Sequence, residues 1–291
     1  MNKPKKQNTR PNHALPSGRV RGRGRKHKSS GGSRWLSWWG LLLGGILVVA
    51  AYVFVFYNFF VTPLSFRWRA IYGEPDYPTG YDIMGIDISH HQDRIDWDRL
   101  RNAKIGDHPI SFVIIKATEG ATLFDENFND NFHWARENDL VRGAYHFYIP
   151  DKNITRQAEY YLHQVHLLEG DLPPILDIEK RGNKPLKEFQ RDVLTWLEIV
   201  QSVYGVAPII YTSYKFKQDY LNTPALNEYP LWIAHYYEKK LKYKGKWAFW
   251  QYTDCGRVDG IKGYVDFDIF NGDMKVLKQM TLQPAIAPEG E

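Results

Sequence analysis

The sequence predicts an α/β chain: an irregular, TIM-like β/α barrel with reduced helices in its last third, preceded by a single transmembrane helix. Three observations predict it. Short apolar runs alternate with amphipathic helical stretches from Ile83 to the region of Phe267. From Leu231 on, those runs are separated by segments too short for full helices. Residues 35–61 form 27 consecutive residues without a charge, where about 20 suffice to cross a hydrocarbon core. Strands alternating with helices build a parallel sheet clothed by helices, and such a sheet can close into a barrel.

The expected strands are Ile83–Ile88, Ser111–Ala117, Gly143–Tyr148, Ile175–Ile178, Pro208–Tyr211, Leu231–Ala234, Ala248–Tyr252 and Tyr264–Phe267. A short helix is expected over Trp97–Ala103. Phe128, Phe132 and Ala135 fall at i, i+4, i+7 of a second. Ala158, Tyr161, Leu162, Val165 and Leu168 line one face of a third. Pro185 opens a fourth, with Leu186, Phe189, Val193, Trp196, Leu197, Val200 and Val203 inward. Both longer patterns follow the helical period.

Upstream of the barrel the composition changes abruptly. Residues 1–34 hold eleven of the 38 Lys and Arg and none of the 33 Asp and Glu. The remainder is therefore acidic, 27 basic residues against 33 acidic ones, although the whole chain is +5. The basic character belongs to a tail that cannot bury a core, so nucleic acid is not an expected partner. Trp35, Trp38 and Trp39 flank one end of the apolar stretch, and Tyr57, Phe59 and Phe60 the other, as in interfacial aromatic belts. The positive-inside rule places the N-terminus in the cytoplasm and everything beyond residue 62 outside it. The stretch exceeds an ordinary signal-peptide core, and Ala50 and Ala51 lie in its middle, so an uncleaved anchor is expected. The expected domains are a disordered basic cytoplasmic tail (1–34), an anchor in the cytoplasmic membrane (35–61), a connector (62–80), a barrel (81–279) and a loose tail (280–291). Cys255 is the single cysteine, which excludes an intramolecular disulfide and a cysteine metal site.

The chemistry centres on Pro173-Pro174-Ile175-Leu176-Asp177-Ile178-Glu179. Side chains alternate along a strand, so Asp177 and Glu179 share a face, about 6–7 Å apart at Cα. A pair of acids on a greasy strand is costly unless that face opens on a solvated cleft. Catalytic groups of a parallel barrel gather at the C-terminal ends of its strands. Asp87, Glu119, the Asp177–Glu179 pair, and Asp266 with Asp268 all fall near strand ends, so four strands deliver carboxylates to one mouth. Glu179 is the candidate acid, its proton retained through like-charge repulsion and partial burial. Asp177, Asp87 and Asp266 are the other candidate catalytic residues. Tyr145, Tyr211, Trp232 and Tyr252 are candidate sugar platforms, with core packing the competing reading for each. Lys116 and Gln251 are further substrate-binding candidates. His90-His91 looks like a metal pair, but adjacent side chains diverge, and neither metal nor cofactor is expected.

Gly85-Ile86-Asp87-Ile88-Ser89-His90, Ile115-Lys116-Ala117-Thr118-Glu119-Gly120, Arg142-Gly143-Ala144-Tyr145-His146-Phe147, Leu176-Asp177-Ile178-Glu179, Trp250-Gln251-Tyr252 and Val265-Asp266 follow one another in the order and approximate spacing of glycoside hydrolase family 25. The chain resembles these lysozymes (N-acetylmuramidases) from residue 83 to about residue 278. The resemblance implies an irregular β/α barrel and peptidoglycan glycan strands as substrate, cut at the β-1,4 linkage from N-acetylmuramic acid to N-acetylglucosamine. It also implies Glu179 as general acid, Asp177 as nucleophile or stabiliser of the acetamido group, and Asp87 and Asp266 completing the carboxylate set. Asp268 departs from the asparagine common in the family and adds possible negative charge near the site. The expected protein is a monomeric, membrane-tethered wall hydrolase with its barrel on the periplasmic or extracellular side. A non-catalytic peptidoglycan-binding scaffold and a chitin-type hydrolase are the alternatives.

Overall fold

The computed structural model describes residues 33–56 and 78–284. Residues 1–32 of the expected tail, most of the connector over 62–80 and most of the C-terminal tail over 280–291 lie outside the described residues, as do Tyr57, Phe59 and Phe60. The chain divides into two compact units between residues 66 and 67.

The first unit contributes helix α1, Ser33–Phe56, 24 residues long. At 1.5 Å per residue it extends about 36 Å, enough for a hydrocarbon core of about 30 Å. Its stretch Trp38–Val55 has a mean hydropathy of 2.1, and none of it is buried in protein. Trp38 and Trp39 are exposed, as are Leu41, Ile46 and Phe54 further along. A helix apolar on all sides has no polar face to offer water.

The second unit is a closed barrel of eight strands: β1 Met84–Ile88, β3 His108–Glu119, β5 Val141–Phe147, β6 Ile175–Asp177, β7 Ile209–Ser213, β8 Leu231–Ala234, β9 Phe249–Gly256 and β10 Val265–Phe270. Pairing of β1 with both β3 and β10 closes the ring. Two-residue strands β2 Lys104–Ile105 and β4 Leu123–Phe124 are attached to β3. All eight expected strands are present. One expectation about direction is corrected. The pairings from β1 through β9 are parallel, but β10 runs antiparallel to both of its neighbours. A parallel crossover needs about a dozen residues or more, and only residues 257–264 connect β9 to β10.

Helices α2 Trp97–Leu100, α3 Phe128–Glu137, α4 Ile154–Gln164 and α5 Leu186–Tyr204 occupy the expected places. On α5, Phe189, Val193, Trp196, Leu197 and Val200 are completely buried. Pro185 precedes its first turn, and Gly205 ends it at φ +70°, a left-handed conformation that glycine adopts without strain. Three residues expected inside are not. Leu186 in the first turn of α5 and Val203 in its last turn are exposed, and α4 ends at Gln164, so Leu168 falls off its face. Helices α6 Tyr214–Tyr220 and α7 Pro224–Asn227 fill the β7–β8 connection, and α8 Met274–Met280 follows β10. Thr281 and Leu282, expected in the loose tail, are buried, and the Leu282 backbone hydrogen-bonds to Gly170 and Asp171.

Alternation along the strands divides the apolar side chains between two clusters. Phe112, Ile114, Ile175, Ile209, Phe249 and Phe270 fill the barrel, and Leu277 of α8 joins them. Ile86, Ile115, Ala144, Leu176, Ile210, Ile233 and Phe267 face outward and pack with the helices. His146 belongs to this outer layer, with Thr118 Oγ1 2.7 Å from its Nδ1 and the Trp196 ring stacked on it. Burial pushes its pKa down to about 3, so it is a neutral core histidine.

Candidate active site

The acids gather at the end of the barrel where the parallel strands finish. Asp87 is the penultimate residue of β1, and Asp177 ends β6. Because β10 runs the other way, its beginning, not its end, reaches this mouth. Asp266 there pairs in register with Asp87 across the antiparallel ladder. Directly opposed residues share a face, so both carboxyls point inward. Two residues along, Asp268 shares that face and lies opposite Gly85 on β1 and Gln251 on β9. Gly85 is needed for space: a Cβ there would come within 2.4 Å of the Phe112 ring.

Asp177 is buried, and its Oδ1 has no hydrogen-bond partner. Burial holds its carboxyl well above the usual aspartate range, reinforced by Glu179 and Asp87 and opposed by Lys116. Glu179 lies just past the strand, where solvent reaches it. Partial enclosure by the cleft walls raises its carboxyl too, against the lowering charges of Lys180 and Lys116. Neighbouring carboxyls that both favour the protonated form titrate as a pair.

Asp87 is held from one side by a hydrogen-bond relay. The hydroxyls of Tyr211 and Tyr236 donate to Gln251 Oε1 at 2.6 and 2.7 Å, and Gln251 Nε2 donates to Asp87 Oδ2 at 2.6 Å. Tyr145 lines the same wall. Burial raises its hydroxyl pKa first, followed by the charges of Asp87, Asp177 and Asp266. Lys116 Nζ donates to Glu119 at 2.6 Å and lies 5.0 Å from the centroid of the Phe147 ring.

The candidates from sequence therefore separate. Asp87, Asp177, Glu179, Asp266, Tyr145, Tyr211, Lys116 and Gln251 converge on one end of the barrel. Trp232 faces the same interior but is buried below the mouth. Its ring centroid lies 4.3 Å from that of Tyr211, and its Nε1–H donates to Asp268, so it offers no open face to a sugar. Tyr252 faces away, into the outer layer beside Trp250 and Phe267, because it follows inward-facing Gln251 on β9. Tyr236 was not anticipated. It sits beyond the end of β8 in a connection without helical period, and position past a strand end was its only signal. His90 Nδ1 bonds with the buried Asp125 carboxylate at 2.8 Å.

The family model for Glycosyl hydrolases family 25 matches residues 86–261. The chain belongs to this family. The family 25 match takes in Asp87, Asp177 and Glu179 and stops short of Asp266. An uncharacterized Escherichia coli K12 protein, YegX, is 43% identical over 202 residues, covering 69% of this chain and 74% of its own. Lysozyme M1 of Streptomyces globisporus is 32% identical over 65% of this chain and 68% of its own. Among solved structures, a family 25 glycosyl hydrolase from Bacillus anthracis superposes with a TM-score of 0.64 at 27% identity, over 71% of this chain and 97% of its own. The family 25 chain is thus a glycoside hydrolase. Its mouth gathers carboxyl groups, the group type from which a glycosidase draws its proton donor and its negative charge.

Proposed function

We propose that this family 25 enzyme is a membrane-tethered muramidase cutting the β-1,4 bond from N-acetylmuramic acid to N-acetylglucosamine in peptidoglycan. The observation that carries this reading is the unequal carboxyl pair after β6: Asp177 buried, Glu179 accessible, both with raised pKa values. Glu179 is the general acid that protonates the leaving glycosidic oxygen. The resulting carboxylate then takes a proton from the incoming water and restores the starting state. Asp177 accepts the N–H of the substrate's 2-acetamido group. Its Oδ1 lacks any protein donor, which suits a partner brought by the substrate. Held so, the acetamido oxygen attacks the anomeric carbon as the leaving oxygen departs. The incoming water then attacks the same carbon, breaking that new bond and releasing the acetamido group as its proton passes to Glu179. Asp87 and Asp266 supply fixed negative charge where positive charge develops. Tyr145, Tyr211, Lys116 and Gln251 shape the sugar subsite, Gln251 by orienting Asp87.

Helix α1 supports the tether, and the basic residues before it support a cytoplasmic N-terminus with the barrel outside. Tethering restricts cutting to wall within reach of the connector, which suits remodelling or turnover. Mass spectrometry of products made from purified peptidoglycan by the full chain in detergent tests the bond. New reducing ends at N-acetylmuramic acid are expected, and reducing ends at N-acetylglucosamine would overturn the assignment. Retention of anomeric configuration without a trapped adduct supports the acetamido role, and a covalent adduct on Asp177 would make it the nucleophile instead.

A further inference from the structure

Asp268 has no counterpart in the mechanism above, yet it is one of the most enclosed acids in the barrel, with no solvent exposure. Its Oδ1 accepts from Trp232 Nε1–H at 2.7 Å, and its Oδ2 is inaccessible with no protein donor. The groups facing it are Asp266 of its own strand, Asp87 of β1, Gln251 of β9 and Trp232 of β8. Tyr211 and Tyr236 stand behind Gln251. Two of these neighbours are carboxyls and none is a cation. Lys116, the lysine that acts on Asp177 and Glu179, is paired with Glu119. A carboxylate closed off from bulk solvent with carboxyls and no cation facing it ordinarily keeps its proton.

We propose that Asp268 is a positioning residue, a neutral carboxylic acid whose O–H donates to the Asp87 carboxylate while its other oxygen accepts from Trp232. Asp87 is then clamped between two donors, Gln251 Nε2 on one side and Asp268 on the other. The direction of its titration agrees. Burial, the Asp87 charge, a hydrogen bond to Asp87 and the Asp266 charge all raise the Asp268 pKa, and only the Trp232 bond lowers it. An aspartate that looks like an additional negative charge in the sequence instead acts as a neutral hydrogen-bond donor. Only its effect on catalysis rests on the muramidase reading. Its protonation does not.

Asp268→Asn keeps the shape, donates through Nδ2–H and cannot ionise. Infrared difference spectra of the full chain in detergent at neutral pH, wild type minus variant, are expected to show a lost protonated-carboxyl band. Loss of a carboxylate band pair instead would overturn the proposal. Stability gives a second readout with a definite sign. An acid with a raised folded-state pKa contributes stability below its unfolded pKa of about 3.9, and that contribution is lost as pH rises. Relative to Asp268→Asn, the wild-type unfolding constant should therefore rise about tenfold per pH unit above that value until the folded pKa is passed. A pH-independent difference would contradict the proposal. In hydrolysis, Asp268→Asn should stay within about threefold of wild type, while Asp268→Leu should lose at least about tenfold in kcat, the asparagine restoring what leucine removes. A folded Asp268→Asn protein losing about 100-fold would show that the charge is required. If wild type and variants alike release nothing from peptidoglycan, the functional reading falls, and the infrared and stability arms still decide the protonation.

Discussion

Asp177 and Glu179 have one residue between them and meet different solvents. Asp177 closes β6 inside the barrel, whereas Glu179 has left the strand and meets water. In the proposed mechanism this placement matches the roles, since a proton donor must reach the leaving oxygen and a buried acceptor must meet a group the substrate inserts. Lys116 acts on both, and its charge lowers both pKa values. Lys116→Met is expected to raise them further. In the proposed mechanism the acid form of Glu179 is the active one, so the alkaline limb of the kcat/KM profile should move to higher pH. A limb that stays in place or moves down would remove Lys116 from this role. The pair was legible in the sequence because an acid–apolar–acid triplet on a buried strand has few structural explanations. The proton on Asp268 was not legible, because it depends on three neighbours from β1, β8 and β10 meeting in a closed volume.

At the scale of elements, the eight strands could be read from apolar runs because each fills a barrel wall on both faces. Direction could not be read that way. β10 has the same kind of sequence as the parallel strands, and only its short connection to β9 turns it round. That reversal brings Asp266, at the start of its strand, to the mouth beside Asp87. Tyr252 was misplaced for a related reason. It adjoins Gln251, but one step along a strand changes the face. Helices α6 and α7 are too short to display a period. The far end of the barrel is held by a two-pronged buried ion pair. Arg142 at the start of β5 donates through Nε and Nη2 to both carboxylate oxygens of Asp171, at 2.6 and 3.1 Å. Asp171→Ala leaves the guanidinium enclosed without its partner. It should cost about 3–5 kcal/mol of unfolding free energy, measured by urea denaturation, with little change in kcat where the protein remains folded. A cost below about 1 kcal/mol would show that the pair is not structural.

The whole molecule joins a hydrolytic barrel to a helix apolar on every side. The barrel is that of a glycoside hydrolase, and in the proposed reading the helix sets where it cuts. The anchor should keep the chain in the membrane fraction through high-salt washing, with the barrel degraded by protease added from outside and the N-terminal tail protected. A salt-released chain, or a mature N-terminus beyond residue 50, would contradict an uncleaved anchor. The central claim is that Glu179 gives the proton that breaks peptidoglycan, and it is tested most directly by release of reducing ends from purified peptidoglycan by the full chain and by Glu179→Gln. Wild type should release them at neutral pH, and the folded variant should be slower by about 10²–10⁴-fold. Equal rates from the two proteins would contradict the account.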